Sequence, residues 1–309
     1  MNSHSKLASL LIYIPTYNRF DRLCEQIDQI YPFLNKYPIN ILISNNKSPD
    51  ERYLCLKNRY PDEKVSIITN PVNIGANPNI TNGFLYSADY DFLWILSDDD
   101  IILGHSIDKI MDLLDKNVDI IYFMMNDITP GVRKCRMSDI VAILNFGLGL
   151  VSAVIYRSKT IIPDVRFGYE YITSGFPHLA ILFASCERKG SLNVFQFRYD
   201  EIFLKKKPDP AVESDNYHLS IYGFVHLSDF ISDRKTKLGF IKMWLNGSVP
   251  TALGLRKSNR TKYANLKGYI FAQSKWLFLY FYYRAAIVVF LYYAKRTQKA
   301  IRGKKTGIS

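Results

Sequence analysis

The sequence has few cysteines and few histidines, and neither kind of residue is clustered. The four cysteines stand far apart, without a Cys-x-x-Cys pair, at Cys24, Cys55, Cys135 and Cys186. The five histidines are scattered as well. Zinc sites and disulfide frameworks need closely spaced ligands or paired cysteines, so this pattern indicates neither and favours a reducing cytoplasm.

The sequence also lacks the pattern of a secretory leader. Residues 7–14 are apolar, but the run is short, has no small-residue cleavage site and continues directly into Pro15. We therefore predict a buried first strand. An apolar fraction of 48% over 309 residues is sufficient for a sizeable core, which excludes a disordered chain.

Acidic residues are scarce at the C-terminal end, and the whole chain carries a net charge of +12. An aromatic and aliphatic segment, residues 276–293, precedes a basic tail that begins at Lys295. This combination favours a membrane interface over nucleic acid, since no recognition module accompanies the basic residues. Arg284 argues against a simple spanning helix, because a charge at the bilayer centre is costly. The alternative is a buried helix of a soluble bundle.

Strands and helices alternate over about the first 200 residues. The predicted strands are 8–14, 39–44, 65–69, 91–96, 118–125, 151–156 and 192–197, and the predicted helices are 20–35, 49–60, 79–88, 105–116 and 176–188. This alternation predicts an α/β fold with a doubly wound, Rossmann-like, mainly parallel open sheet. The stretch 126–149 is predicted to be irregular, 205–210 a linker, and the chain beyond about 215 helical.

Three consecutive aspartates, Asp98, Asp99 and Asp100, directly follow the apolar run 91–96. In an extended segment the side chains at i and i+2 point the same way, so Asp98 and Asp100 are expected to converge on one cation. Oxygen ligands suit Mg²⁺ or Mn²⁺, and these ions commonly serve phosphate esters. The alternative is a solvated acidic turn in which Asp98 or Asp99 caps the next helix.

Four polar loops follow the predicted strand ends, at 15–19, 45–50, 73–79 and 97–100, and in an open parallel sheet they meet at one rim. In order they contain Pro-Thr-Tyr-Asn-Arg, Ser-Asn-Asn-Lys-Ser-Pro-Asp, Asn-Ile-Gly-Ala and Leu-Ser-Asp-Asp-Asp. This series resembles family 2 glycosyltransferases of the GT-A fold, especially the abequosyltransferase-like bacterial O-antigen and capsule enzymes. The resemblance covers about residues 8–200.

The resemblance implies a binding site for a nucleotide-sugar donor. It assigns the base and ribose to the first loop, with Pro15, Thr16, Tyr17, Asn18 and Arg19. It places Asn73 and Gly75 beneath the nucleotide, Asp98 near the ribose or sugar, and Asp99 on the donor sugar. Asp100, together with Asp98, would hold the Mn²⁺ or Mg²⁺ that bridges the diphosphate.

Two positions depart from the family pattern. Relatives usually carry Asp at the position of Asn45, where the carboxylate accepts from the uracil ring N–H, whereas an amide both donates and accepts. We therefore expect that the donor need not be a UDP-sugar, and the sequence leaves open whether Asn45 or Asn46 faces the base. Relatives also supply the general base from a Glu-Asp pair, which is missing here. The candidates are His178, in a Ser-Gly-Phe-x-His-Leu pattern like that of the abequosyltransferase-like subgroup, and Glu170. For His178 the open roles are general base, acceptor contact and third metal ligand.

The sequence thus predicts two regions. Residues 1–207 would form the GT-A catalytic domain, and 208–309 a helical region whose segment 270–309 associates with a membrane. The predicted activity is metal-dependent sugar transfer to a lipid-linked oligosaccharide at the cytoplasmic face of the inner membrane, with no nucleic-acid partner. The alternatives are a degenerate membrane-associated scaffold and a sugar nucleotidyltransferase, although the Gly-rich loop of the latter is missing.

Overall fold

The computed structural model describes residues 7–114, 116–124, 129–143, 149–204, 223–258 and 260–305. The chain divides into two compact units, Met1–Val212 and Glu213–Ser309. The predicted domain boundary after residue 207 and the linker 205–210 both lie outside the described residues and stay predictions.

The first unit contains a single eight-stranded sheet in its described part. Its strands are β1 Leu10–Thr16, β2 Ile39–Asn45, β3 Val65–Thr69, β4 Phe92–Ile95, β5 Ile120–Met124, β6 Gly131–Cys135, β7 Val154–Arg157 and β8 Leu192–Arg198. Its helices are α1 Phe20–Ile30, α2 Leu56–Arg59, α3 Ala76–Leu85, α4 Ser106–Leu114, α5 Met137–Ile143, α6 Ser158–Ile161, α7 Val165–Glu170 and α8 Pro177–Lys189.

The strand order is β3-β2-β1-β4-β7-β5-β8-β6. β7 is antiparallel to both β4 and β5, and β6 is antiparallel to β8. The other pairs are parallel, which confirms the predicted mainly parallel open sheet. Because β7 runs backwards, its first residues lie at the edge where β4 ends.

Several predicted boundaries were wrong for local reasons. α1 stops at Ile30 because Pro32 follows within a short 3₁₀ turn. α3 begins at Ala76, not at 79, since Gly75 at φ +87° ends the preceding loop. The region 126–149, predicted to be irregular, contains β6 and α5, and 151–156 begins as a 3₁₀ turn before β7. Among the described strands, β6 pairs only with β8 at the sheet edge, and it exposes Val132, so it lacks the apolar run of a buried strand.

Helices cover both faces of the central strands. Leu10, Ile12 and Ile14 of β1 face the core formed with α1, α2 and α4. Tyr13 points to the opposite face, where it meets α3, and a Cβ added at Gly83 of α3 would lie 2.6 Å from the Tyr13 ring. A glycine at this position therefore lets α3 pack closely against β1.

The second unit is helical in its described part. A 3₁₀ segment, Val225–Phe230, precedes α9 Arg234–Ser258, α10 Arg260–Gln273 and α11 Lys275–Lys305. These helices bury apolar side chains among themselves, including Phe240, Trp244, Leu266, Ile270 and Phe281. Within the described residues, no helix is both long enough and apolar enough to cross a membrane.

Candidate active site

The topology places a crevice between the carboxyl ends of β1 and β4. The connection from β1 runs through α1 on one face to β2, whereas β4 is reached through α3 on the other face. The paired register of β1 and β4 ends at Tyr13 and Ile95, so the segments that follow are not paired with each other. In open α/β sheets ligands bind where neighbouring strands send their connections to opposite faces. The predicted site residues of β1 and β4 lie at this crevice.

The loop after β1 is fixed by hydrogen bonds to the loop after β2. Asn18 adopts φ 55°, and its backbone N–H donates to Ser48 Oγ at 2.9 Å. The Tyr53 hydroxyl lies 3.0 Å from Thr16 Oγ1 and accepts from the Arg19 backbone N–H at 3.2 Å. Asn is one of the few residues that tolerates positive φ, so this sequence suits the turn. The bonds leave the Tyr17 and Asn18 side chains exposed at the crevice.

The acidic cluster forms a turn and not an extended segment. The Asp100 backbone N–H donates to the Ser97 carbonyl at 3.2 Å, so the assumption of an extended segment was wrong, and a cation shared by Asp98 and Asp100 stays a prediction. The Ser97 hydroxyl donates to Asp99 Oδ1, and the Ser97 N–H donates to Ser152 Oγ at 2.8 Å. Ser152 precedes β7, so the reversed strand helps to hold the acidic turn.

Arg19 joins the first loop to the acidic turn. Its guanidinium Nη1 lies 2.8 Å from Asp98 Oδ1 and 3.4 Å from Asp99 Oδ2. Asp98 is only 4% exposed, and burial raises the pKa of its carboxyl, while Arg19 and a hydrogen bond from Thr16 oppose the rise. The structure therefore brings together Thr16, Arg19, Asp98 and Asp99 at one rim, and their role in binding a donor stays a prediction.

The loops after β2 and β3 are joined through Asn46. Its Nδ2 donates to Asn73 Oδ1 at 2.8 Å and to the Gly75 carbonyl at 3.2 Å. Its Oδ1 accepts from Asn70 Nδ2 and from the Ile74 backbone N–H, each at 3.0 Å. An amide has two donor hydrogens and two acceptor lone pairs, so these four bonds use its full capacity. Asn46 therefore positions the loop and has no capacity left for a base.

Asn45 retains hydrogen-bonding capacity that Asn46 lacks. Asn45 Oδ1 accepts from the Ser48 backbone N–H at 2.9 Å, which turns the chain after β2. Lys47, which lies between Asn45 and Ser48, adopts φ 60°, a conformation that is uncommon for lysine. Because the amide oxygen already has this partner, the Asn45 side chain offers its NH₂ donors and one remaining lone pair.

The loop before α3 is only partly as predicted. Asn73 Oδ1 also accepts from the Gly75 N–H at 2.9 Å, so Asn73 supports the positive-φ glycine. Asn79 is 2% exposed and bonds to Ser44 and Tyr13 beneath the loop. Asn77 donates to the Ile172 carbonyl at 2.9 Å, which links this loop to the segment between α7 and α8.

The two candidate bases flank that segment. Glu170 is the last residue of α7 and is exposed, whereas His178 lies in the first turn of α8 and is 3% exposed beside Phe176. A general base has to reach the acceptor hydroxyl. Glu170 has the necessary exposure, and a role for His178 requires that Phe176 or its neighbours move. Asp164, the other carboxylate of the region, is paired with Arg188 and Ser185.

The donor set fits a hard divalent cation shared with a substrate. Within the described residues, no group of three His, Cys, Asp or Glu side chains could hold a metal ion by itself. Asp99 and Asp100 are half-buried at the rim beside buried Asp98. Mg²⁺ is commonly bound by one or two carboxylates together with substrate phosphates. This turn can provide the carboxylates.

Three positioning residues have no counterpart in the sequence prediction. Gln26 of α1 donates from Nε2 to the carbonyls of Ser97 and Asp100, Tyr53 supports the first loop, and Ser152 supports the acidic turn. For Gln26 a signal existed, because it occupies the buried face of an amphipathic helix otherwise lined by apolar residues. The contacts of Tyr53 and Ser152 join distant parts of the chain and leave no local pattern.

Comparisons with known proteins agree with this geometry. A family model described as Glycosyl transferase family 2 matches residues 11–169. A crystal structure of S. aureus TarS 1-349 in complex with UDP-GlcNAc matches with a TM-score of 0.62 and 12% identity, over 90% of this chain and 88% of that one. The same TarS fragment in complex with UDP gives 0.52 at 12% identity, over 82% and 73%. At this identity the likeness shows the fold. No curated protein sequence matches the chain.

Proposed function

Since the chain belongs to glycosyl transferase family 2 and is a glycosyltransferase with a GT-A fold, we propose a specific reaction for it. It moves one sugar from a nucleotide-diphosphate donor to a lipid-linked oligosaccharide, in the synthesis of a bacterial O-antigen or capsule. The reaction depends on Mn²⁺ or Mg²⁺ and takes place at the cytoplasmic face of the inner membrane.

The acidic turn at the β1/β4 crevice is the observation that carries the proposal. Concentrating three carboxylates at a rim costs electrostatic energy, and burial of Asp98 adds to that cost. Arg19 contacts Asp98 and Asp99 and offsets part of this cost. A divalent cation held by Asp100 and Asp98 would lower it further and, when bound, would stabilise the charge that develops on the leaving diphosphate.

The protein residues around the turn orient the donor. Tyr17 and Asn18 are exposed on one wall of the crevice and Asp99 on the other, where a ribose and a sugar would lie. Gly75, without a side chain, allows the nucleotide to approach the loop backbone. Arg19 would hold Asp98 in one orientation before the donor binds, which lowers the entropy lost on binding.

Asn45 bears on the choice of nucleotide. With its oxygen bonded to the Ser48 N–H, Asn45 keeps NH₂ donors, which suit an acceptor ring nitrogen such as that of cytosine, and one lone pair, which suits the ring N–H of uracil. The donor therefore need not be a UDP-sugar. A strict preference for uridine nucleotides in a binding panel would refute this assignment.

Glu170 and His178 remain the two candidate bases for removal of the acceptor hydroxyl proton. Glu170→Gln changes an exposed side chain, so a fall in turnover without a change in the free energy of unfolding would identify a base. His178→Ala removes a buried ring and is expected to lower both quantities. Unchanged turnover in both variants would discard both assignments.

Binding of UDP, CDP, GDP and dTDP to the purified protein, with and without Mn²⁺, tests the proposal directly. We expect one nucleotide to bind in a metal-dependent manner and Asp100→Ala to lose that dependence while the fold is retained. Asp112→Ala, an exposed aspartate on α4, is the matched control. Binding of none of the nucleotides would favour a degenerate scaffold, and full activity of Asp100→Ala at saturating donor would end the metal assignment.

A further inference from the structure

One face of α11 exposes a continuous set of large apolar side chains. Trp276 is 81% exposed, Tyr283 62% and Phe290 71%. Leu279, Tyr282 and Val289 lie between them and are also exposed. Spacings of three, four and seven residues place these side chains on one side of a helix. We call these six residues the aromatic face, and its 15-residue span is about 21 Å long at 1.5 Å per residue.

The opposite side of α11 packs within its own unit. Leu277, Phe281 and Ala285, spaced four residues apart, are buried against the other helices. The Arg284 guanidinium donates to the Asn246 carbonyl of α9 at 2.9 Å. The aromatic face is therefore left uncharged, and the contacts of residues 277–285 hold this part of the helix with that face exposed.

The charge around this face is of one sign. Residues 234–309 contain 17 lysines and arginines and no aspartate or glutamate. The preceding 233 residues hold all 28 acidic residues of the chain against 23 basic ones. Lys275 lies at one end of the aromatic face, and α11 continues through Lys295 and Lys305 beyond its other end.

We propose that the aromatic face docks in the plane of an anionic lipid bilayer. Trp and Tyr side chains favour the interfacial region, and cations at both ends of an apolar face suit acidic headgroups. A second copy of the chain fits less well, because two units of the same strong positive charge would repel each other. Nucleic acid fits less well too, since a phosphate backbone needs cations where the aromatic face presents apolar carbon.

This docking surface rests on the proposed function, because a lipid-linked acceptor lies in a membrane. The aromatic face would be the surface that meets that membrane. The physical docking can be measured without a sugar donor. Failure to bind lipid would thus leave nucleotide binding untouched, and failure to bind any nucleotide would leave lipid binding untouched.

Sedimentation of the full chain with lipid vesicles tests the docking. We expect binding to vesicles of phosphatidylglycerol and phosphatidylcholine in equal amounts, weaker binding to phosphatidylcholine alone, and loss of affinity as salt is raised. Trp94 and Trp244 are buried, so a blue shift of tryptophan emission on binding would report Trp276. The double variant Trp276→Ser, Phe290→Ser should bind about tenfold more weakly or worse, because it removes two interfacial aromatic side chains.

Leu54→Ser, Val72→Ser is the matched control, since these side chains are 83% and 60% exposed on the other unit. It should bind the vesicles as the wild type does. Undiminished vesicle binding of the aromatic-face variant, or no binding by the wild type, would overturn the proposal. Self-association without lipid, or binding to a DNA duplex, would also overturn it if the aromatic-face variant abolished that interaction.

Discussion

Gln26 is expected to hold the acidic turn in its working shape. It is fully buried on α1, and its Nε2 donates to the Ser97 carbonyl at 2.7 Å and to the Asp100 carbonyl. Its Oε1 is buried with no partner among the described residues. The Gln26 amide thus bridges the first and last residues of the turn while its oxygen accepts no hydrogen bond from the described residues. Gln26→Met keeps the length of the side chain and removes both donors.

The stability lost by Gln26→Met depends on the two carbonyl groups that Gln26 no longer bonds. The Ser97 carbonyl retains the bond from the Asp100 N–H, so the loss falls mainly on the Asp100 carbonyl. An unsatisfied buried acceptor costs about 1–3 kcal/mol, and removal of the unpartnered Oε1 returns part of this. We expect Gln26→Met to lower the free energy of unfolding by about 1–2 kcal/mol. If the turn opens instead, the loss appears in binding. Each 1.4 kcal/mol of lost binding free energy then lowers the metal-dependent nucleotide affinity about tenfold.

Urea unfolding and nucleotide binding with Mn²⁺ measure the two outcomes. Gln29→Met is the control, because Gln29 is exposed on the same helix. Gln26→Glu should be worse than Gln26→Met at neutral pH, since a carboxylate would face two carbonyl oxygens. Equal stability and equal nucleotide binding of Gln26→Met and Gln29→Met would show that Gln26 does not hold the turn.

Three further changes test other parts of the site. Asn46→Asp replaces two donated bonds by repulsion from Asn73 Oδ1 and the Gly75 carbonyl, so urea unfolding should show a free energy of unfolding lower by about 1–3 kcal/mol. Asn58→Asp, at an exposed position, should not lower it. Gly83→Ala brings a Cβ to 2.6 Å from the Tyr13 ring and should lower stability by about 1–3 kcal/mol, whereas Gly131→Ala meets no atom within 4 Å and should not. Burial raises the pKa of Asp98, so its charged form costs stability. This cost grows as pH rises from the unfolded-state pKa through the folded-state pKa, and it is absent below the unfolded-state pKa. Asp98→Asn should therefore raise the urea midpoint at pH 7 relative to the wild type, with a smaller difference at pH 4, and should weaken nucleotide binding; an unchanged midpoint at pH 7 would contradict this.

The parallel half of the sheet was predictable because apolar runs and strand-end motifs are local signals. β1 to β4 each pair an apolar run with a polar loop, and the loops meet at one rim as the topology requires. β6 was missed since an exposed edge strand such as Gly131–Cys135 needs no apolar pattern.

The chemistry of the site was less predictable than its location. The sequence placed the loops of Arg19 and Asp98 at one rim, but it did not identify the turn at Ser97–Asp100, because three aspartates fit an extended segment and a turn equally well. The choice between Asn45 and Asn46 depended on hydrogen bonds to Asn73 and Ile74, which belong to another loop. Such contacts over long sequence distances leave no periodicity to detect.

The bonds around Asn46 have a consequence for how acidity acts on this enzyme. The amides of Asn46, Asn70, Asn73 and Asn79 do not titrate, and burial raises the pKa of Tyr13, which bonds to Asn79. Relatives with an aspartate at position 45 would carry a protonation step inside this loop. Here the side chains that hold the loop stay uncharged, so we expect the acid limb of a donor-binding profile to report on Asp98, whose pKa is raised by burial.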